Sequence, residues 1–307
     1  MDQEIIDLYN EYNKGSMDRR EFLKKLSVLA GSATAVAALL SKMEGSDAMA
    51  DVIAKDDPRI HTEYIQYPGE TGEVRANLAR PVGDEKLPGV IVIHENKGLQ
   101  PHIEDVTRRV ALEGYLSIAP DALTPLGGTP EDPNNAQSLI GKLDREATIK
   151  NFVAAVKYLK THPQSTGKVG VIGFCWGGEM TNQVAVNAPD LDAAIPFYGR
   201  QPASEDVPKI RASLLIHYAG LDSGINAGIP AFEEALKEAS IDYQIYMYEG
   251  ANHAFFNDTN VARYNEEAAK LAWERTIEFL KEKLKDTITD VPPQNKVAVP
   301  WGNLKLP

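Results

Sequence analysis

The sequence predicts an α/β fold with a mostly parallel central sheet and helices on both faces. Three observations predict it. From residue 74 onward, short apolar runs alternate with longer amphipathic ones. Several short runs, 169–174 among them, are apolar throughout instead of at every second residue, the pattern of a strand covered on both sides. No linker, repeat or compositional shift divides this part of the chain, which reads as one domain of catalytic size.

The elements follow in order. Residues 51–70 read as an irregular lead-in ending at Tyr67-Pro68-Gly69. Strands are expected at 74–80, 89–94, 115–119, 169–174, 193–198, 213–218 and 243–248, and helices at 102–112, 144–160, 177–187, 231–240 and 261–285. In the second helix Ile149, Phe152, Val153, Val156 and Leu159 recur at three- and four-residue spacing and make one apolar stripe. The segment 123–135, "LTPLGGTPEDPNN", is too rich in Pro and Gly for regular structure. Because it follows a strand end, it is expected as a loop over a site. The tail 288–307 is Pro-rich and expected to be extended, packed along the surface or against a second copy in a homo-oligomer. The chain thus divides into a targeting segment (1–50), a lead-in (51–73), a catalytic domain (74–287) and a tail (288–307).

Composition excludes some classes of function. A net charge of −12 argues against nucleic acid, whose phosphates demand a basic face. A single cysteine can form neither an internal disulfide nor a Cys-based zinc site. The N-terminus carries an export pattern: Arg19-Arg20, then Phe22-Leu23, a weakly apolar stretch over 26–40, and small residues Ala48 and Ala50 at a cleavage position. That stretch is too short to span a bilayer comfortably. The pattern resembles a twin-arginine signal for bacterial export to the periplasm or beyond, implying the export machinery as a transient partner and a mature start at Asp51. Two features depart from it: Asp18 stands before the arginine pair, and the preceding region is long enough to suggest a start near Met17. An amphipathic N-terminal helix or a retained anchor is the alternative, and an unused signal would leave the protein cytoplasmic.

The chemistry centres on "VGVIGFCWGGEM", residues 169–180. Gly173-Phe174-Cys175-Trp176-Gly177 has the G-x-nucleophile-x-G spacing of a sharp strand-to-helix turn, where larger flanking side chains would clash. Such a turn aims the Trp176 N–H at the site, and the helix that follows favours a thiolate. A cysteine between two glycines is equally compatible with a buried structural role. The order of later residues weighs against that: the run "SLLIHYAGLD" ends at Asp222 and the run "YQIYMYEGANHAFF" ends near His253, an acid and then a base at successive strand ends. His61, His94, His102, His162 and His217 read as structural or merely exposed. A further strand ends in His94-Glu95-Asn96, where a second backbone oxyanion donor is expected and where Glu95 could govern the protonation of Cys175.

"HENKGL", "APDAL", "GFCWGG" and "NHAFF" together resemble the dienelactone hydrolase family of α/β hydrolases, over about 74–284. The resemblance implies an α/β-hydrolase fold and a Cys175–His253–Asp222 triad. It implies that Glu95 holds the cysteine neutral until substrate disturbs it, and that the N–H groups of Asn96 and Trp176 form the oxyanion hole. The implied reaction cleaves a small-molecule lactone or ester through a thioester, without metal or organic cofactor. The sequence departs from the founding lactonase where that enzyme holds the substrate carboxylate. A serine and an arginine are expected there, and this chain has Ala254 and Asn257; the loop "TPLGGTP" also lacks the family's arginine. Arg200, in "PFYGRQP", is the candidate substitute for substrate binding. A thioesterase or general carboxylesterase with the same triad, and a binding protein on this fold without turnover, are the competing readings.

Overall fold

The computed structural model describes residues 52–285 and, ahead of them, 3–13, 17, 19–31, 35–36 and 39. Its eight strands are β1 (Ile60–Gly69), β2 (Gly72–Pro81), β3 (Leu87–Ile93), β4 (Leu116–Pro120), β5 (Ser165–Phe174), β6 (Ala193–Phe197), β7 (Ser213–Ala219) and β8 (Tyr243–Tyr248). They form one sheet in the order β1-β2-β4-β3-β5-β6-β7-β8. The hairpin β1–β2 and its junction with β4 are antiparallel, and every pairing from β4 to β8 is parallel.

Alternate residues of the central strands feed two cores, as the two-residue period of a strand requires. Ile91, Ile93, Val169, Val171, Leu214 and Ile216 point into one. Helices α5 (Arg145–Thr161), α6 (Trp176–Asn187) and α8 (Ile229–Glu238) cover that face through Phe152, Val156, Val184, Phe232 and Leu236. On the other face Val90, Val92, Ile172, Phe174, Ile195 and Phe197 meet α3 (Pro101–Leu112) and α9 (Glu266–Leu284). Helices on both faces of a mostly parallel sheet are the architecture expected.

Three expectations need correction. The segment 51–70 is not irregular throughout, because β1 occupies its second half and pairs with β2 along its whole length. Its alternating exposure as an edge strand gave it no apolar run to recognise. The segment 123–135 holds a single 3-10 turn, Thr124–Leu126, and the start of α4 (Pro133–Ile140). There the Asp132 side chain accepts from the Asn134 N–H, and Pro133 stands at the first helical position, where its missing N–H costs nothing. The last helix begins at Glu266 instead of 261, because Asn265 caps it by accepting from the Ala268 N–H at 3.1 Å. Residues 257–264 form turns instead, and this matters for the site.

Ahead of the sheet, α1 (Gln3–Asn13) and α2 (Arg19–Ala30) share a small core of Ile5, Leu8, Tyr9, Phe22 and Leu26, against which Ala262 also packs. Tyr12 stacks on Phe22 with ring centroids 4.5 Å apart. Among the described residues no helix is long and apolar enough to cross a membrane. The expected cleavage position at 48–50 and the tail from 288 lie outside the described residues.

Candidate active site

Parallel strands bring their C-terminal ends to one edge of the sheet, and the predicted residues gather there. Cys175 directly follows β5 and precedes α6; Asp222 follows β7; His253 follows β8; Glu95 and Asn96 follow β3.

The turn at Cys175 is as tight as its glycines suggest. Cys175 adopts φ 57° and ψ −116°, a conformation non-glycine residues rarely hold. A Cβ at position 173 would lie 2.1 Å from the Gly177 carbonyl oxygen, and one at 177 would lie 2.4 Å from the carbonyls of Ile93 and His94. The strand-to-helix crossing therefore closes only with glycine at both places, and it sets the start of α6 against the end of β3. Hydrogen bonds from the Cys175 N–H to Phe197 O (3.0 Å) and from the Glu179 N–H to Cys175 O (3.1 Å) hold the strained residue on both sides. As the first residue of α6, Trp176 has an N–H with no acceptor inside the helix, so it is suited to an oxyanion.

The structure brings Cys175, His253 and Asp222 together. His253 Nε2 lies 3.0 Å from Cys175 Sγ, while Nδ1 pairs with Asp222 Oδ2. Burial alone would lower the imidazole's pKa. The charges of Cys175 and Asp222 outweigh it, and the pKa is pushed up to about 10. Tyr198 was expected only as a strand end, yet its ring packs on His253 at 5.0 Å between centroids. Tyr198 (φ 38°) and Ala254 (φ 66°) share the left-handed backbone of Cys175, so strain collects around the base and the thiol.

Glu95 makes its hydrogen bond not with Cys175 but with Asn257, whose Nδ2 donates to Oε2 at 2.7 Å. Asn257, marked in the sequence as a lost carboxylate ligand, therefore positions the glutamate. His94 supports the same strand end: the Ala122 N–H donates to its Nε2 (3.2 Å), which leaves Nδ1 to donate to Glu95 O (2.6 Å). Its ring stacks on Trp176 at 5.4 Å, and burial lowers its pKa, consistent with a structural role. His217 is likewise held neutral, pushed by burial to about 3, between Tyr248 and Thr276. The loop after β4 is tied down by Asp121, which accepts from the N–H and hydroxyl of Thr129. The Thr129 hydroxyl in turn takes the Leu99 N–H, fixing this loop against the segment that carries Glu95 and Asn96.

Arg200 is not brought to the group. Its side chain is exposed and makes no hydrogen bond or ion pair with Cys175, His253, Asp222 or Glu95. The arginine near them is Arg263, which is buried and which the sequence reading passed over. Nothing in a lone arginine among turn residues marks it in advance. Among the described residues no cluster of His, Cys, Asp and Glu could hold a metal ion.

The profile of the dienelactone hydrolase family matches residues 74–284, the whole stretch from β2 to the end of α9. The chain belongs to this family. Within the dienelactone hydrolase family it is 36% identical over 255 residues to a Saccharolobus solfataricus protein provisionally named carboxymethylenebutenolidase, covering 71% of this chain and 97% of that one. A Synechocystis protein with the same provisional name is 32% identical over 244 residues, covering 74% and 98%. Among solved structures, one described as a provisional dienelactone hydrolase from Klebsiella pneumoniae superposes with a TM-score of 0.66 at 29% identity, covering 73% of this chain and 99% of that one. A hydrolase of the α/β-hydrolase fold is the reading these likenesses share.

Proposed function

We propose that this hydrolase cleaves a lactone or ester through a thioester formed on Cys175. The observation that carries the reading is the 3.0 Å approach of His253 Nε2 to Cys175 Sγ at a strained strand-to-helix turn. Sγ attacks the carbonyl carbon as its proton rests on His253, forming the C–S bond and pushing the carbonyl electrons onto oxygen. The N–H groups of Trp176 and Asn96 stabilise that oxyanion. Collapse breaks the C–O bond, and His253 returns its proton to the departing oxygen. Water then attacks the thioester, giving a proton to His253, and Cys175 departs as the acid is released. Asp222 keeps Nδ1 facing away from the thiol throughout.

The test is intact mass after brief mixing with p-nitrophenyl acetate or a simple enol lactone, followed by peptide mapping. An acyl group on Cys175, absent from His253→Ala, supports the reading. Product release without any adduct on Cys175, or with the adduct elsewhere, overturns the thioester route. Comparing lactones with open-chain esters and thioesters then separates a lactonase from a carboxylesterase or thioesterase.

The paired arginines support a second part of the reading, export by the twin-arginine route. N-terminal sequencing of secreted protein tests it: a start near Asp51 supports export, and an intact N-terminus opposes it.

A further inference from the structure

His94 directly follows β3 and is fully buried, and no step of the proposed reaction uses it. Two backbone groups fix its state. The Ala122 N–H can only donate, so Nε2 accepts it at 3.2 Å and carries no proton. The Glu95 carbonyl can only accept, so the ring proton sits on Nδ1 and is donated to Glu95 O at 2.6 Å. Burial disfavours the imidazolium, in keeping with a neutral ring held in this one tautomer.

The carbonyl that His94 grips belongs to the peptide unit joining Glu95 to Asn96. That unit is planar and trans, so its C=O and N–H point in opposite directions. Holding the oxygen toward His94 therefore turns the Asn96 N–H to the other side and keeps the unit from rotating. A hydrogen bond weakens steeply as its donor turns out of line, so an oxyanion donor on a loop needs such a hold. The face of the ring has a second contact. It stacks on Trp176 with centroids 5.4 Å apart and planes 17° from parallel, and Trp176 carries the other N–H proposed for the oxyanion. The backbones are as close: a Cβ at position 177 would lie 2.4 Å from the Ile93 and His94 carbonyls. One imidazole thus bears on both donor residues.

We propose that His94 is a positioning residue of the oxyanion hole, presetting the Asn96 N–H through the Glu95 carbonyl and seating Trp176 beside it. It acts through these two residues and not on the substrate. The role rests on the hydrolase reading, since it needs an oxyanion to serve.

Two variants divide the functions of the ring. His94→Gln reaches the place of Nε2 but leaves Glu95 O without its donor, whereas His94→Asn puts an amide N–H near the place of Nδ1. Two rates at Cys175 then separate positioning from general damage. Acylation by p-nitrophenyl acetate passes through an oxyanion, and alkylation by iodoacetamide does not. In His94→Gln the maximal acylation rate should fall about tenfold to a hundredfold, with half-saturation and the alkylation rate little changed. His94→Asn should recover part of the acylation. Equal losses in both rates, or no loss in either, overturn the positioning role, and so does an Asn variant no faster than the Gln variant. If wild-type Cys175 is alkylated but never acylated, the hydrolase reading fails and a crystal structure of His94→Gln decides. A 95–96 peptide turned from its parent orientation supports the hold, and an unchanged one overturns it. Should neither variant fold, the nitrogen NMR shifts of the wild-type ring decide: a proton on Nδ1 supports the role, and one on Nε2 overturns it.

Discussion

Asn257 and Glu95, far apart in the sequence, meet through a 2.7 Å hydrogen bond from the Asn257 amide to Glu95 Oε2. The other end of the same amide accepts from the N–H (3.1 Å) and hydroxyl (2.7 Å) of Thr259, so the group cannot flip without losing both. The bond fixes a carboxylate at the mouth of the candidate site. Glu95 and Cys175 both act electrostatically on Tyr198 and on Arg263.

Glu95→Gln keeps the size of the side chain and an acceptor for Asn257 but removes the negative charge. With that charge gone, a thiolate nearby is easier to form. The rate of Cys175 alkylation by iodoacetamide should therefore rise at neutral pH and its profile move toward lower pH. Unfolding stability should change by only about 0.5 kcal/mol. Superimposable alkylation profiles for parent and variant would remove Glu95 from any control of the thiol.

The backbone at Cys175 gives a second expectation. Alanine normally stabilises a chain relative to glycine by roughly 0.5–1 kcal/mol. At φ 57° and ψ −116° that preference should disappear or invert, because only glycine holds this conformation without strain. Cys175→Gly is expected to unfold at or above the temperature of Cys175→Ala, while both lose about three powers of ten in turnover. A glycine variant clearly less stable than the alanine variant would mean the turn is not strained.

How much of this was legible beforehand depends on what each residue's signal rests on. The elbow was readable because its glycines answer to local crowding, and the strands 243–248 and 213–218 because short, largely apolar runs mark them. The order Cys175, Asp222, His253 placed three side chains at one sheet edge, and the structure brings all three into contact. β1 was missed because an edge strand keeps half its residues in water. Arg263 was missed for a different reason. Its guanidinium packs on Tyr9, at the other end of the sequence, and no local pattern announces a contact that only the fold creates. Arg200, named as the substitute for the missing carboxylate-binding groups, is exposed. Sequence position alone does not give the direction of a side chain.

His253 offers a direct electrostatic check. Its folded pKa of about 10 stands above the ordinary 6.5, so the folded state binds its proton more tightly than the unfolded one. The resulting stabilisation is fully present below about pH 6.5 and is lost as pH rises toward 10. An NMR titration of the imidazole should place its midpoint well above 6.5 in the parent. In Cys175→Ala it should fall, since the charge of Cys175 is the largest influence raising it. A midpoint near 6.5 in both proteins would dissolve the coupled pair.

The turn segment that carries both Asn257 and Arg263 is pinned from beneath by Asp258, which pairs with Arg109 (2.6 Å) and His102 (3.0 Å). Arg109 also pairs with buried Asp105, which accepts from the N–H groups of Val52 and Ile53 and so ties the lead-in to α3. Burial works against the Asp258 carboxylate, but His102 and Arg109 overcome it and hold its pKa down to about 2. A depressed acid stabilises the fold above its unfolded value of 3.8 and loses that contribution as pH falls through about 2. Asp258→Asn leaves the Arg109 cation with one carboxylate instead of two, and because Asp105 remains, the cost should sit near the lower end of the ~3–5 kcal/mol seen when a buried pair is broken. Urea unfolding should show a stability gap between parent and variant at pH 7 that narrows as the pH is lowered from 4 toward 2. The same variant should slow turnover through its hold on Asn257 even where it remains folded. A gap that stayed constant across that acid range would mean the Asp258 charge contributes nothing to the pinning.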